Sequence, residues 1–125
     1  MYNSDDLKIL DEMIQDNAKI PLTDNYGKKQ VILKETQSNY AVTILNIPPN
    51  SIVIEADIFS APKSIFKDSK GECKRCDFII VSNQDHKKYI IFIEMKAGKA
   101  IELEVIKQLK GGECFIGYCL SLIHI

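Results

Sequence analysis

The chain has 125 residues, 46 percent hydrophobic and 26 percent charged, with no repeat and no low-complexity tract, which agrees with one small soluble domain in which a single core can form. Sixteen Lys and Arg against seventeen Asp and Glu give a net charge of −1, which excludes a globally basic nucleic-acid binder; any anion-binding footprint must be local. There is no signal-peptide pattern and no long apolar span, so the protein is expected to be cytoplasmic, with no membrane partner.

In chain order, Leu7, Leu10 and Ile14 give residues 4–17 a helical stripe, with Ser4 as N-cap and Asp5 and Asp6 favourable to the helix dipole. Gln30 to Glu35 and Tyr40 to Ile47 then read as a hairpin around the polar residues 36–39. The Pro48-Pro49-Asn50 turn leads into a strand expected over Ser51 to Phe59, which carries Glu55 and Asp57 two residues apart on one face. Those two are reserve metal ligands or plain edge charges.

A loop from Ala61 to Arg75 follows, with Lys63, Lys67, Lys70, Lys74 and Arg75 set against Asp68 and Glu72. It runs directly into the apolar segment Asp77-Phe-Ile-Ile-Val81. A second apolar segment, Tyr89-Ile-Ile-Phe-Ile-Glu-Met-Lys96, lies beyond the polar stretch 82–88, which reads as a turn. The β-branched and aromatic content of both segments predicts an antiparallel hairpin. If it is symmetric, Val81 faces Ile90, Ile79 faces Phe92 and Asp77 faces Glu94, with Cβ atoms about 5 Å apart, and Lys96 shares their face because side chains alternate with period two.

Two carboxylates opposed across a sheet repel, so a cation is expected between them. Mg²⁺ fits best, since it takes oxygen ligands and is commonly held by one or two carboxylates together with water and phosphate oxygens. Lys96 beside it would hold a water aimed at phosphorus or steady the charge of the transition state. Phosphodiester hydrolysis is the chemistry this arrangement implies. Downstream, residues 100–110 read as a helix ended by Gly111-Gly112, and Cys114 to Cys119 as a strand after it.

An Asp opening one strand and Glu-x-Lys closing the next resembles the PD-(D/E)XK nuclease superfamily, over roughly residues 50–119; Cys76 stands where the family's Pro would be. The resemblance implies an α/β fold, a restriction-endonuclease-like α-β-β-β-α-β core with a mixed central sheet flanked by helices. It also implies Asp77 and Glu94 as Mg²⁺ (or Mn²⁺) ligands, Lys96 at the attacking water, and DNA as substrate. Members often place a Gln on the helix after Glu-x-Lys, which maps onto Gln108; its apolar neighbours Val105 and Ile101 put it at the border of that helix's buried stripe, and a half-exposed surface Gln is the alternative. Some members use a Glu of the first helix, here Glu12, which lies off the stripe and reads as a solvated charge.

On this basis Lys63, Lys67, Lys70, Lys74 and Arg75 are expected to hold backbone phosphates beside the scissile bond, the alternative being a solvated loop. Cys73-Lys-Arg-Cys76 with Cys114 and Cys119 offers a zinc set, against which adjacent strand residues point apart; free buried thiols are the simpler account. Leu120-Ser-Leu-Ile-His-Ile125 resembles the translation of a transposase end sequence used in preparing sequencing libraries, so it is set outside the domain assigned to residues 1–119, His124 is given no role, and the natural chain is expected to continue past Cys119. A homo-oligomer is compatible with all of this. The rival function is an inactive module of the same fold that binds nucleic acid or protein.

Overall fold

A computed structural model describes residues 4–35, 40–59, 63–96, 98–99 and 101–124. The chain is mixed α/β: a first helix α1 (Ser4–Met13), a three-stranded sheet of β1 (Thr23–Asn25), β2 (Lys28–Glu35) and β3 (Tyr40–Ile47), a second sheet of β4 (Ser51–Glu55), β5 (Phe78–Gln84) and β6 (Lys87–Ile93), and a long helix α2 (Glu102–Ile123). Strand order is β1-β2-β3 in one sheet and β4-β5-β6 in the other, and every pairing is antiparallel. The mixed central sheet expected from the resemblance is therefore replaced by two antiparallel ones. The turn expected at residues 36–39 lies outside the described residues, as do the side chains of Ser4 and Asp5 on which the N-cap reading rested.

Period-two alternation divides the second sheet into two apolar faces. Ile52, Ile54, Ile79, Val81, Ile90 and Phe92 meet the helices, where Leu7 and Leu10 of α1, with Ile14 just beyond its end, join Leu109, Phe115, Ile116 and Cys119 of α2. Val53, Phe78, Ile80 and Ile93 turn the other way and pack on Val31, Leu33 and Ile47 of the first sheet, with Met95. Because both faces are covered, β4 and β5 read as continuous apolar runs rather than alternating ones. Glu12, off the stripe, is exposed.

The hairpin register is the symmetric one: Ile79 pairs with Phe92 and Val81 with Ile90. Its connection is shorter than the composition of residues 82–88 implies, because the ladder continues through Ser82–Tyr89, Asn83–Lys88 and Gln84–Lys87 and leaves only Asp85 and His86 in the turn. Both have positive φ, 53° and 63°, as a type I′ hairpin turn demands, and Asp tolerates that region. Ser82, buried within the ladder, is satisfied by the Ser51 hydroxyl at 2.8 Å.

Two further expectations are corrected. The strand entered at Ser51 ends at Glu55 rather than Phe59, since residues Ala56–Ile58 form a 3₁₀ turn; the Ala56 N–H donates to the Asp77 carbonyl and closes the sheet there. Residues 114–119 are helical, not a strand, because α2 passes unbroken through Gly111 and Gly112. Neither glycine has positive φ, so neither acts as a C-cap. They are needed for close approach: a Cβ on Gly111 would overlap the Lys74 carbonyl oxygen, and one on Gly112 the Cys76 Sγ. The apolar spacing Leu109, Phe115, Ile116, Cys119, Leu120 and Ile123 follows the helical period past the glycines, and Leu120 and Ile123 border the core. His124 follows the helix with Nε2 3.8 Å from Asp6. No helix of the described residues is long and apolar enough to cross a membrane.

Candidate active site

Asp77 and Glu94 sit where the central hairpin opens. The β5–β6 ladder ends at the pair Phe78–Ile93; one residue further out, the Asp77 N–H donates to the Ile93 carbonyl at 3.0 Å. From there a side chain takes over from the backbone, because the Met95 N–H donates to Asp77 Oδ2 at 2.7 Å. This bond fixes the Asp77 carboxylate across the mouth of the hairpin. Met95 itself is buried between the sheets, which anchors the amide that makes it.

The Glu94 side chain is only 3 percent exposed, and Lys96 Nζ lies 3.1 Å from its Oε2. Its other oxygen, Oε1, is buried without a hydrogen-bond partner. A buried carboxylate oxygen left unpaired is costly and rare, so it marks a place where a donor, such as a proton shared with the Asp77 carboxyl, or a cation belongs. The Lys96 side chain is 36 percent exposed and thus reaches from the buried Glu94 toward solvent.

Electrostatics agree with crowding of negative charge. Burial pushes the Asp77 carboxyl above its ordinary pKa, and the charges of Asp57 and Glu35 push the same way, against the lowering effects of the Met95 N–H and of a hydrogen bond with the Glu94 carboxyl. Burial likewise raises Glu94; the Lys96 hydrogen bond opposes it, while the charge of Asp77 and a close approach of the two carboxyl groups raise it further. Glu55 at the end of β4 is raised by burial and by Asp57 and Asp77. Five carboxylates, Asp77, Glu94, Glu55, Asp57 and Glu35, thus gather near the ends of three strands and of β2. Four of them were visible in the sequence as ligands or reserves, though Glu55 and Asp57 are brought in by a turn rather than by a shared strand face. Glu35 was missed, because its approach depends on packing between the two sheets, which no local pattern encodes.

Among the described residues no group of three or more His, Cys, Asp or Glu side chains is placed to hold a metal ion by protein donors alone. Asp77 and Glu94 would provide two, and the buried, unpaired Glu94 Oε1 fits a hard cation that would draw its remaining ligands from elsewhere. The four cysteines are free; Cys73, Cys76 and Cys119 are buried and Cys114 is exposed. Burial pushes the Cys76 thiol up to about 11 and raises Cys119 as well.

Gln108 lies in an open cleft of about 590 Å³ lined also by Asp57, Phe59, Lys63, Lys74 and Arg75. The cleft therefore joins the α2 glutamine to three of the five basic residues expected at a nucleic-acid surface. Lys67 and Lys70 are exposed and do not line it. Lys74 Nζ is 3.3 Å from Glu104 on α2. The Arg75 guanidinium stacks on Phe59, 4.7 Å from the ring centroid, and donates to the Lys74 carbonyl at 2.7 Å. The chain matches no protein-family model, no curated protein and no solved structure.

Proposed function

We propose that this protein is a metal-dependent nuclease domain that hydrolyses phosphodiester bonds, with DNA as the substrate that the resemblance to PD-(D/E)XK nucleases implies. The observation that carries the reading is the pair Asp77 and Glu94 at the mouth of the hairpin, with Glu94 Oε1 buried and unpaired and Lys96 Nζ 3.1 Å from Oε2. Mg²⁺ or Mn²⁺ held by these two carboxylates would polarise the scissile phosphate and make its bound water acidic.

The remaining chemistry falls to side chains. Lys96 has three N–H donors and gives one to Glu94 Oε2, which leaves two for a water or a non-bridging phosphate oxygen. Those donors steady the negative charge that grows on phosphorus oxygens in the transition state. The Met95 N–H holds Asp77 in place, so this carboxylate need not be reorganised when substrate arrives. Lys63, Lys74 and Arg75 hold flanking phosphates, which makes binding salt-dependent.

The test is a cleavage assay with Mg²⁺ or Mn²⁺ on linear, circular and single-stranded DNA, comparing wild type, Asp77→Asn and Lys96→Ala. Asp77→Asn keeps a carbonyl to accept from Met95 while removing the charge, so loss of cleavage in a folded variant reports chemistry rather than unfolding. Cleavage that survives both substitutions refutes the site. Absence of metal-dependent cleavage of any DNA or RNA form by the wild type favours the rival, a non-catalytic binding module.

A further inference from the structure

We infer that the cleft beside the carboxylates receives an unpaired nucleotide, so that the polymer bound at this site is a single strand of nucleic acid rather than a duplex; the inference rests on the nuclease reading for what the strand does there. The first ground is a stack already assembled in the protein. Phe115 of α2 meets Phe59 at a centroid separation of 4.9 Å and a tilt of 56°, and the Arg75 guanidinium lies over Phe59 at 4.7 Å. Phe59 is 39 percent exposed, although an aromatic ring of this size is ordinarily buried, and it lines the cleft together with Arg75. A planar cation and an aromatic ring at a cleft wall form a platform on which any base stacks, because every base has a π-face.

The second ground is hydrogen-bonding capacity with nothing to use it. Arg75 Nε and Gln108 Oε1 are both buried without partners, and both residues line this cleft. One is a donor and the other an acceptor, a combination that phosphate oxygens alone cannot satisfy and that a base edge can. In a duplex those edges are paired and stacked and reach a concave wall only by flipping out of the stack, at the cost of unpairing. An unpaired strand presents them without that cost.

The third ground is the relation of the cleft to the carboxylates and cations. Asp57 lines it two residues beyond Glu55 at the end of β4, and Arg75, which also lines it, is two residues along the chain from Asp77. Lys63 and Lys74 stand at the same walls. At about 590 Å³ the cleft lies in the range of small-ligand sites and accommodates a nucleotide, not a double helix.

Fluorescence anisotropy with a labelled oligothymidylate of about 12 nucleotides, and with a blunt duplex of the same length, tests this in EDTA so that nothing is cut. The wild type is expected to bind the single strand more tightly. Phe59→Leu keeps an apolar side chain against Phe115 but removes the π-face, and Arg75→Lys keeps the charge but removes the planar stack; each is expected to weaken single-strand binding about 5-fold or more. Phe66→Ala, an exposed phenylalanine of the same loop that does not line the cleft, is the control and is expected to leave affinity nearly unchanged. Equal or tighter binding of the duplex, or folded Phe59→Leu and Arg75→Lys proteins that bind the single strand like wild type, overturns the inference. Single-strand binding that depends on Phe59 without metal-dependent cleavage supports it and refutes the nuclease reading instead.

Discussion

Replacing the three glycines of α2 one at a time by alanine separates a continuous docked helix from a helix that stops. At Gly117 a Cβ meets nothing within 4 Å, so Gly117→Ala only gains helix propensity and is expected to stabilise by about 1 kcal/mol. At Gly112 the same gain is opposed by overlap with the buried Cys76 Sγ, and overpacking of this kind costs about 1–3 kcal/mol, leaving a net loss of up to about 2. Gly111→Ala should cost more, because its obstacle is the Lys74 carbonyl, a backbone atom that cannot rotate away. In a chain of this size 1 kcal/mol moves the melting temperature by about 3–5 °C. Thermal unfolding followed by far-ultraviolet circular dichroism is thus expected to rank the variants Gly117→Ala above wild type, then Gly112→Ala, then Gly111→Ala. If alanine at 111 and 112 stabilises as it does at 117, α2 does not press against residues 74–76. If alanine at 117 fails to stabilise, residues 114–119 are not helical.

The pH dependence of stability follows from Asp77, Glu94 and Glu55, all raised by burial and by the charge of neighbouring carboxylates. The folded chain holds these protons more tightly than the unfolded one, so their contribution is full below the ordinary carboxyl pKa of about 4 and is lost as pH rises through the raised values. Denaturant melts in EDTA should show that decline toward neutrality; Mg²⁺ at about a hundredfold excess over Kd should add about 2.7 kcal/mol at neutral pH and almost nothing near pH 4. A metal effect of equal size at both would refute the carboxylate site. Thiol labelling of the native protein near pH 8 should be fast at exposed Cys114 and slow at Cys76, whose thiol is pushed up to about 11; fast labelling that survives Cys114→Ser would contradict this. Phe78→Ala, at a side chain 2 percent exposed between the two sheets, is expected to cost about 3–5 kcal/mol in chemical denaturation, and a loss below about 1 would mean the sheets do not pack there.

The hairpin was legible in the sequence because its register is set by two local facts, alternation and the centre of symmetry at residues 85–86. The same alternation puts Asp77 and Glu94 at facing positions, and Lys96 Nζ lies 3.1 Å from Glu94 Oε2. What misled was composition read as geometry. Ser82, Asn83, Lys87 and Lys88 are polar, yet they are ladder residues, since a strand tolerates polar side chains wherever they find partners or water. Gly111-Gly112 looked like a stop signal and is a contact surface; the difference lies in residues 74–76, more than 30 positions away, which no window on the helix contains. Arg75 could be identified as basic, but not as stacked on Phe59, because the loop between them has no periodicity to read.

The Met95 N–H to Asp77 Oδ2 bond makes the open end of the hairpin depend on a side chain that also titrates and that faces a second carboxylate. Strand ends normally fray independently of the ligand chemistry around them. Here a cation gathered by Asp77 and Glu94 would cross-link the two strand ends, so that occupancy could be followed without any substrate, through slower amide hydrogen exchange at Met95 and Asp77. The sheet would in that case report on the carboxylate pair at its open end, with the last rung of the ladder serving as the indicator.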